Sequence, residues 1–164
     1  GLKLKLGYMS SDAVQSAQAL LIQEQLKEVG VTVELAGGDG TAIANAMKDP
    51  DNEYDMYLGG YIMGIDPDTF SSLFENDGAY NYMHYSGYDT IDQLFEEGRS
   101  ELDESARKET YAKLQAAVQD TGAFYPIISN NKILVVNNRI QGVEDAGLVP
   151  VYTFEDTSSL KIAE

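Results

Sequence analysis

The side chains that could carry chemistry in this sequence are carboxylates, tyrosines and one histidine. The 164 residues include 27 acidic and 11 basic side chains, 11 Tyr, one His and no Cys. Without Cys, the chain can hold no disulfide, thiol nucleophile or thiolate metal site. A lone histidine, His84, cannot build a multi-histidine metal centre. It would also have to be the base of any Ser-His-Asp triad, but no Gly-x-Ser-x-Gly elbow is present to supply the serine.

Acidic and glycine-rich motifs are better explained as turns than as catalytic or metal sites. Gly37 to Thr41 looks like a phosphate loop but lacks the Lys of a Walker motif. The Asp-x-Asp pairs at 49–51 and 66–68 lack the rest of a twelve-residue calcium loop. No carboxylate pair stands out for glycoside hydrolysis. We therefore expect these motifs to supply no enzyme activity, cofactor or bound metal. A hydrolase and an extracellular acidic module linked to Ca²⁺ or carbohydrate stay open as alternatives.

The charge balance restricts the partners. A formal net charge of −16 argues against nucleic acid, because phosphate binding needs Lys and Arg to displace counterions. It argues equally against docking on an anionic membrane through a basic face. No apolar run approaches the roughly 20 residues that cross a bilayer, so we expect no membrane insertion by this segment.

The first 36 residues predict a β-α-β unit. Residues 2–8 alternate apolar and polar side chains, which is typical of a strand. Asp12 lies in an N-cap cluster before a helix that Gly30 ends as the residue after the C-cap. Residues 31–35 are a β-branched strand. A strand, a helix and a second strand in this order favour parallel pairing with a right-handed crossover.

The rest of the chain continues this alternation, with one long exception. Residues 61–88 have no clear period, and a loop of that length in a compact domain is usually functional. Before and within this exception, we predict a short helix from its cap at Thr41 to about Lys48, a strand over 54–60, and an N-cap at Asp68 for residues 69–74. After it, we predict a helix that is capped by Asp89 and carries Leu102, a helix from Asp103 to Gly122, and strands at 127–128 and 133–136. The tail from Asn137 is expected to be irregular, with Phe154 and Ile162 in no element.

Strands that alternate with helices predict an α/β domain. In open parallel sheets, ligands bind beyond the carboxyl ends of the strands. Three such ends are expected here, at residues 9–12, 36–41 and 59–68. A binding site is therefore predicted at this edge of the sheet.

Several motifs in the chain resemble a known family. Tyr54 to Phe70, YDMYLGGY…DPDTF, resembles the stretch YD…GW…DPD.F of the oligopeptide-, dipeptide- and nickel-binding proteins of ABC importers. Further matches follow in the same order over about residues 2–145: LKEVGVTVEL at 26–35, NY…YD…L at 81–94, the pattern Asp103, Arg107, Tyr111, Gln115, and Pro126.

The resemblance implies a periplasmic-binding-protein-like lobe of type II, with a mostly parallel, mixed sheet and helices on both faces. Residues 1–145 would be the second lobe of a two-lobed protein, and 146–164 would return to a missing N-terminal lobe. The whole protein would bind an oligopeptide or other small solute in a cleft that closes by hinge motion, for uptake through an ABC permease. It would be extracytoplasmic, in the periplasm or on a Gram-positive surface, with its lipid anchor on the missing N-terminus.

The resemblance also suggests which residues line the cleft. Tyr61 stands where the family has a Trp, so it is expected to form an aromatic wall, although an ordinary half-buried Tyr is the alternative. The family's acidic residue for the peptide ammonium falls at Met63 or Gly64, and neither is acidic; Asp66 is the nearest carboxylate, unless it serves only the turn. The candidate ligand contacts are Met9, Ser10, Ser11, Tyr61, Met63, Asp66, Asn81 and Tyr82.

Overall fold

The computed structural model describes residues 1–62, 64–84, 89–129, 131, 133–149 and 153–163. The chain divides into two compact units. Unit 1 comprises residues 1–61 and 80–84, and unit 2 comprises 62–79 and 85–164. Each unit has its own helices and strands.

Unit 1 is built on a parallel sheet of three strands in the order β2-β1-β3. The strands are β1 (Lys3–Met9), β2 (Thr32–Gly38) and β3 (Met56–Tyr57). Strand β1 lies in the middle, with Met9 beside Gly38 of β2 and Gly7 beside Tyr57 of β3. This confirms the predicted α/β class and the parallel β-α-β unit. Strand β2 continues through Gly37 and Gly38, where a turn was expected, and only two residues of the predicted strand 54–60 join the ladder.

Helix α1 (Ala13–Glu28) covers one face of this sheet. Its Ala19 is fully buried against Leu6, Val33 and Leu58, which together form the core of the unit. The side chain of Asp12 accepts hydrogen bonds from the N–H groups of Val14 and Gln15, as predicted for an N-cap. Gly30 follows the helix with φ of 85°, a left-handed conformation that side chains disfavour, so the predicted stop is confirmed.

Helix α2 (Gly40–Ala46) packs at the carboxyl end of β1. Its buried Ile43 lies beside Gly38 of β2. Because successive residues of a strand face opposite sides of the sheet, Gly38 faces the side opposite to Val33, which packs against α1. Helices therefore lie on both faces of the sheet. The N-cap is Asp39 and not Thr41, because Asp39 is extended and its carboxylate accepts from the N–H groups of Thr41 and Ala42.

Unit 2 contains a helical pair and a short helical turn. The pair is α4 (Asp89–Ser100) and α5 (Glu104–Asp120), preceded by a 3₁₀ helix (Pro67–Phe70) and α3 (Ser71–Phe74). Asp103 caps α5 as predicted, whereas Asp89 is the first residue of α4 and not its cap. Leu102 lies after α4 and is 97% exposed, so its predicted place on the apolar face is wrong. The pair packs through Phe95 and Tyr111, whose ring centroids are 6.5 Å apart.

The last third of the chain differs most from the sequence-based expectation. Neither 127–128 nor 133–136 forms a strand. The tail, expected to be irregular, instead forms two antiparallel pairs of short strands. They are β4 (Ile140–Gln141) with β7 (Lys161–Ile162), and β5 (Leu148–Val149) with β6 (Thr153–Phe154), so Phe154 and Ile162 do belong to elements.

Gly98 allows α4 and α5 to approach closely, which gives a first prediction. A methyl carbon on Gly98 would lie 2.8 Å from Cε2 of Tyr111. We expect Gly98→Ala to lower the free energy of unfolding by about 1–3 kcal/mol, although Ala is the better helix former. Urea unfolding measures the change. The matched control is Gly59→Ala, where an added carbon meets nothing within 4 Å; equal effects of the two variants would contradict the packing argument.

Candidate functional site

The parallel ladder brings three strand ends to one edge of unit 1. Met9 of β1 lies beside Gly38 of β2. Gly7 of β1 lies beside Tyr57 of β3, and the same register, continued by two residues on both strands, brings Met9 level with Gly59. Leu58 continues the contact, because its N–H donates to Gly7 O at 2.9 Å. We call the strand ends Gly38, Met9 and Gly59, with the residues that follow them, the carboxyl rim. It is the edge at which the sequence predicts ligand binding.

Polar contacts hold the β1 and β2 side of the rim in place. The backbone N–H of Ser10 donates to Gly38 O at 3.0 Å, and its hydroxyl donates to the same oxygen at 3.1 Å. The N–H of Met9 donates to Gln15 Oε1 at 2.9 Å. Ser11 is exposed. Because Asp12 already occupies two amides at the start of α1, fewer N–H groups remain there for an anionic ligand group.

The β3 side of the rim is open. A methyl carbon on Gly59 or on Gly60 would meet nothing within 4 Å, and neither glycine has a positive φ. Strand β3 pairs only with β1, so its other edge has no ladder partner among the strands the structure describes. Tyr61 follows and is 37% exposed, which leaves part of its ring accessible. Backbone polar groups and an aromatic surface therefore lie next to each other at the end of β3.

Residues 80–84 complete unit 1. The rings of Tyr80 and Tyr82 meet edge to face, with centroids 5.9 Å apart. His84 Nε2 lies 2.6 Å from Met47 O, so the single histidine ties this segment to the end of α2. Asn81 and Tyr82 are half-buried. The sequence-predicted residues Met9, Ser10, Ser11, Tyr61, Asn81 and Tyr82 thus all belong to one compact unit.

Tyr57 is a feature of this unit that sequence reasoning missed. Its hydroxyl is buried, and among the described residues it has no hydrogen-bond partner. Burial, and then the nearby Tyr82, raise the pKa of Tyr57 to about 12. A buried hydroxyl without a partner costs about 1–3 kcal/mol. The strand pattern alone could not show it, because the environment of Tyr57 depends on residues far away in the chain.

Asp66 belongs to unit 2, where other groups already engage it. Its carboxylate accepts from the N–H of Asp68 at 2.8 Å, so Asp66 and not Asp68 caps the 3₁₀ helix. Arg107 donates to both carboxylate oxygens, at 2.8 and 3.0 Å. The Asp68 N–H and then Arg107 hold the pKa of Asp66 below its usual value. Asp66 could bind a ligand cation only in competition with Arg107. Met63, another candidate, lies outside the described residues.

A second arginine completes the charge network of unit 2. Arg99 Nε lies 2.8 Å from Asp68 and its Nη1 lies 2.7 Å from Glu75. Arg107 also lies over the ring of Tyr111, 4.9 Å from its centroid, and donates to Gly98 O. The carboxylates of the Asp66–Asp68 motif are therefore bound by arginines of α4 and α5. Among the described residues, no group of three or more His, Cys, Asp or Glu side chains is placed to hold a metal ion.

Comparison with known proteins gives a consistent result. The family model described as bacterial extracellular solute-binding proteins, family 5 middle, matches residues 1–82, half of the chain. The peptide transport periplasmic protein SapA of Haemophilus influenzae is 25% identical over 151 residues, which are 87% of this chain and 27% of SapA. The oligopeptide-binding protein AppA of Bacillus subtilis is 23% identical, over 73% of this chain and 22% of AppA.

A solved structure extends the similarity to almost every residue. The ABC transporter substrate-binding protein CtaP of Listeria monocytogenes superposes with a TM-score of 0.87 and 39% identity. The match covers 99% of this chain and 33% of CtaP. The chain thus spans about a quarter of the length of the curated relatives and a third of this structure. No helix in the described part of the chain is long and apolar enough to cross a membrane.

The two contacts of Asp66 can be separated by substitution. Asp66→Asn keeps a side-chain oxygen for the cap but removes the ion pair with Arg107, so the free energy of unfolding at pH 7 should fall by about 0.2–1 kcal/mol. Asp66→Ala also loses the cap and should lower it by about 1 kcal/mol more. Equal losses in the two variants, measured by urea unfolding, would show that the cap contributes nothing.

The lowered pKa of Asp66, caused first by the Asp68 N–H and then by Arg107, also predicts a pH dependence. Because the folded state lowers the pKa of Asp66, its contribution is complete above the unfolded pKa of about 4 and disappears as the pH falls through the folded pKa. The stability difference between the wild type and Asp66→Asn should therefore shrink below about pH 4. Glu144→Gln, the same loss of charge at an exposed carboxylate, is the control with which this trend is compared.

Proposed function

Because the chain belongs to the bacterial extracellular solute-binding proteins of family 5, we propose that it supplies one side of the solute-binding cleft of an ABC importer. The solute is a peptide or a similar small molecule, and the chain's role is binding and not catalysis. The observation that carries the proposal is the carboxyl rim of unit 1, where accessible backbone and the exposed part of Tyr61 lie together. The relatives named for peptide transport and oligopeptide binding support the choice of solute.

Gly59 and Gly60 favour a ligand that is recognised through its backbone. Glycine costs about 0.5–1 kcal/mol relative to Ala in an element interior, through the conformational freedom it loses on folding. Neither a positive φ nor a crowded Cβ position explains these two glycines within the described residues. We propose that the backbone of a bound solute approaches both glycines closely. An extended peptide offers the alternating N–H and C=O groups that an unpaired strand edge can bind.

The lack of a carboxylate at positions 63 and 64 supports the same solute class. The family resemblance implies an acid at one of these positions in members that bind free peptide amines. Here a carbon on Gly64 would lie 2.8 Å from Cγ2 of Thr69, so a side chain would require Thr69 to move. Asp66, the nearest alternative, is engaged by Arg107. We therefore propose that backbone contacts and Tyr61, with Asn81 and Tyr82 at the mouth, hold the solute instead of a charge on its terminal amine.

The remaining parts of the proposal concern the whole protein. A second lobe, from the same protein, supplies the other side of the cleft, and the solute stabilises the closed arrangement by binding it more tightly. The closed form docks on an ABC permease outside the cytoplasm, and a lipid anchor belongs to a part of the protein outside these residues. A Ca²⁺- or carbohydrate-linked module gains no support from any contact in the described residues.

The cleft proposal predicts weak binding by this chain alone. Half of a cleft leaves one side of a bound peptide in water, so calorimetry with a mixture of short peptides should detect nothing tighter than about the millimolar range, near −4 kcal/mol. A two-lobed protein that contains the chain should bind at least about tenfold more tightly. Micromolar binding by the 164 residues would refute the half-cleft proposal.

If the solute is bound through its backbone, substitution of the rim glycines should lower peptide affinity without lowering protein stability. In the two-lobed protein, Gly59→Ala and Gly60→Ala should leave the melting temperature unchanged or slightly raised, because Ala restricts the unfolded chain. Peptide affinity should fall about tenfold, because the new methyl group lies where the peptide backbone approaches. Gly122→Ala serves as a control at a glycine of unit 2; it should lower stability, because φ is 65° there, without changing affinity. Unchanged affinity in both rim variants would contradict the proposal.

A further inference from the structure

One polar group of unit 1 is buried without a hydrogen-bond partner. No atom of the described residues pairs with the hydroxyl of Tyr57. Native proteins rarely leave a buried polar group unpaired, so each such group needs a physical explanation. Tyr57 lies on β3, two residues before Gly59 of the carboxyl rim. Two residues of a strand span about 7 Å, so Tyr57 lies close to the edge at which we propose that a solute binds.

The side chain of Tyr57 faces the side of the sheet on which α2 packs. Its neighbours in the chain, Met56 and Leu58, belong to the core beneath α1. Because successive residues of a strand face opposite sides of the sheet, Tyr57 faces away from α1. Its hydroxyl is therefore buried outside the apolar core of the unit.

Residues 80–84, which we call the strap, lie on this same side. His84 Nε2 lies 2.6 Å from the carbonyl oxygen of Met47, the residue that ends α2. Tyr82 lies close enough to Tyr57 to contribute to its raised pKa. The strap is thus held against α2 at one end and lies beside Tyr57 in its middle, so it helps to bury the hydroxyl.

The strap is held in a strained conformation. His84 has φ of 49°, in the left-handed region that residues with a side chain disfavour. Strain of this kind persists only where the surrounding structure enforces it, and it is concentrated at ligand clamps and switch regions. A strained residue and an unpaired buried hydroxyl thus lie in the same part of unit 1. A shift of the strap would relieve the strain and uncover the hydroxyl.

We propose that Tyr57 is a further solute-binding residue, and that the strap covers its hydroxyl until a solute displaces the strap. The uncovered hydroxyl donates a hydrogen bond to a main-chain carbonyl oxygen of the peptide, which lies along the rim beside Gly59. A tyrosine hydroxyl is a suitable donor, and every residue of an extended peptide offers such an acceptor. This inference rests on the proposed solute cleft, to which it adds a binding group and a moving segment.

Tyr57→Phe removes only the hydroxyl and tests its binding role in the two-lobed protein that contains the chain. Calorimetry with the short peptide that the wild type binds most tightly should show an affinity lower by about five- to tenfold, because one hydrogen bond to the solute is lost. The melting temperature without peptide should not fall, because the hydroxyl has no partner among the described residues. Tyr125→Phe, the same change at a side chain that is 85% exposed, is the control and should alter neither quantity.

His84→Ala tests the strap, because it removes the hydrogen bond to Met47 O. Peptide affinity should rise at least about threefold, since a larger fraction of the protein then has Tyr57 uncovered. The gain should disappear when Tyr57→Phe is added, because the two changes act on one interaction.

Three results would overturn the inference: an unchanged affinity in Tyr57→Phe, a lower melting temperature in Tyr57→Phe, or no gain of affinity in His84→Ala. If the wild type and Tyr57→Phe bind peptide equally well, the proposed cleft stands and only the role of Tyr57 is refuted. If the wild-type two-lobed protein binds no peptide, the proposed cleft is refuted and this inference with it.

Discussion

Parallel pairing of β1 with both neighbours determines where binding groups can lie in unit 1. Parallel strands end on the same side, so Gly38, Met9 and Gly59 share one edge although they are up to 50 residues apart. Ala19 of α1 packs against Leu6 and Val33 and so joins the helix to the sheet. The rim is thus a consequence of topology, and its chemistry follows from the residues that happen to end each strand.

Four of the acidic side chains act on the local fold as helix caps. Asp12, Asp39, Asp66 and Asp103 are the N-caps of α1, α2, the 3₁₀ helix and α5. Each carboxylate accepts backbone N–H groups that would otherwise lack a partner at the start of a helix. Several carboxylates that look like ligand groups in the sequence are therefore already used, and Asp66 is used twice. The high negative charge is then weak evidence for a cationic ligand.

The chain combines buried cores with large apolar side chains that are exposed to solvent. Ala19 in unit 1 and Phe95 in unit 2 are fully buried, so each unit has a buried core of its own. Ile127, Ile128 and Ile133 are as hydrophobic as the core residues but are 51–84% exposed. Whether an apolar side chain is buried therefore depends on the packing partners available to it and not on its type alone.

The sequence by itself predicted the features that depend on neighbouring residues. The strand at 3–9, the Asp12 cap, the stop at Gly30 and the Asp103 cap are confirmed, because hydrophobic period and capping act within one or two turns. The ordered family motifs predicted the family. Only the tertiary structure decided which extended stretches pair, so 133–136 remains unpaired while Phe154 and Ile162 join strands. The tertiary structure also decided that Arg107 binds Asp66, which is 41 residues away in the chain. Strand pairing and ion pairs join residues far apart in sequence, and local sequence patterns do not show which of them meet.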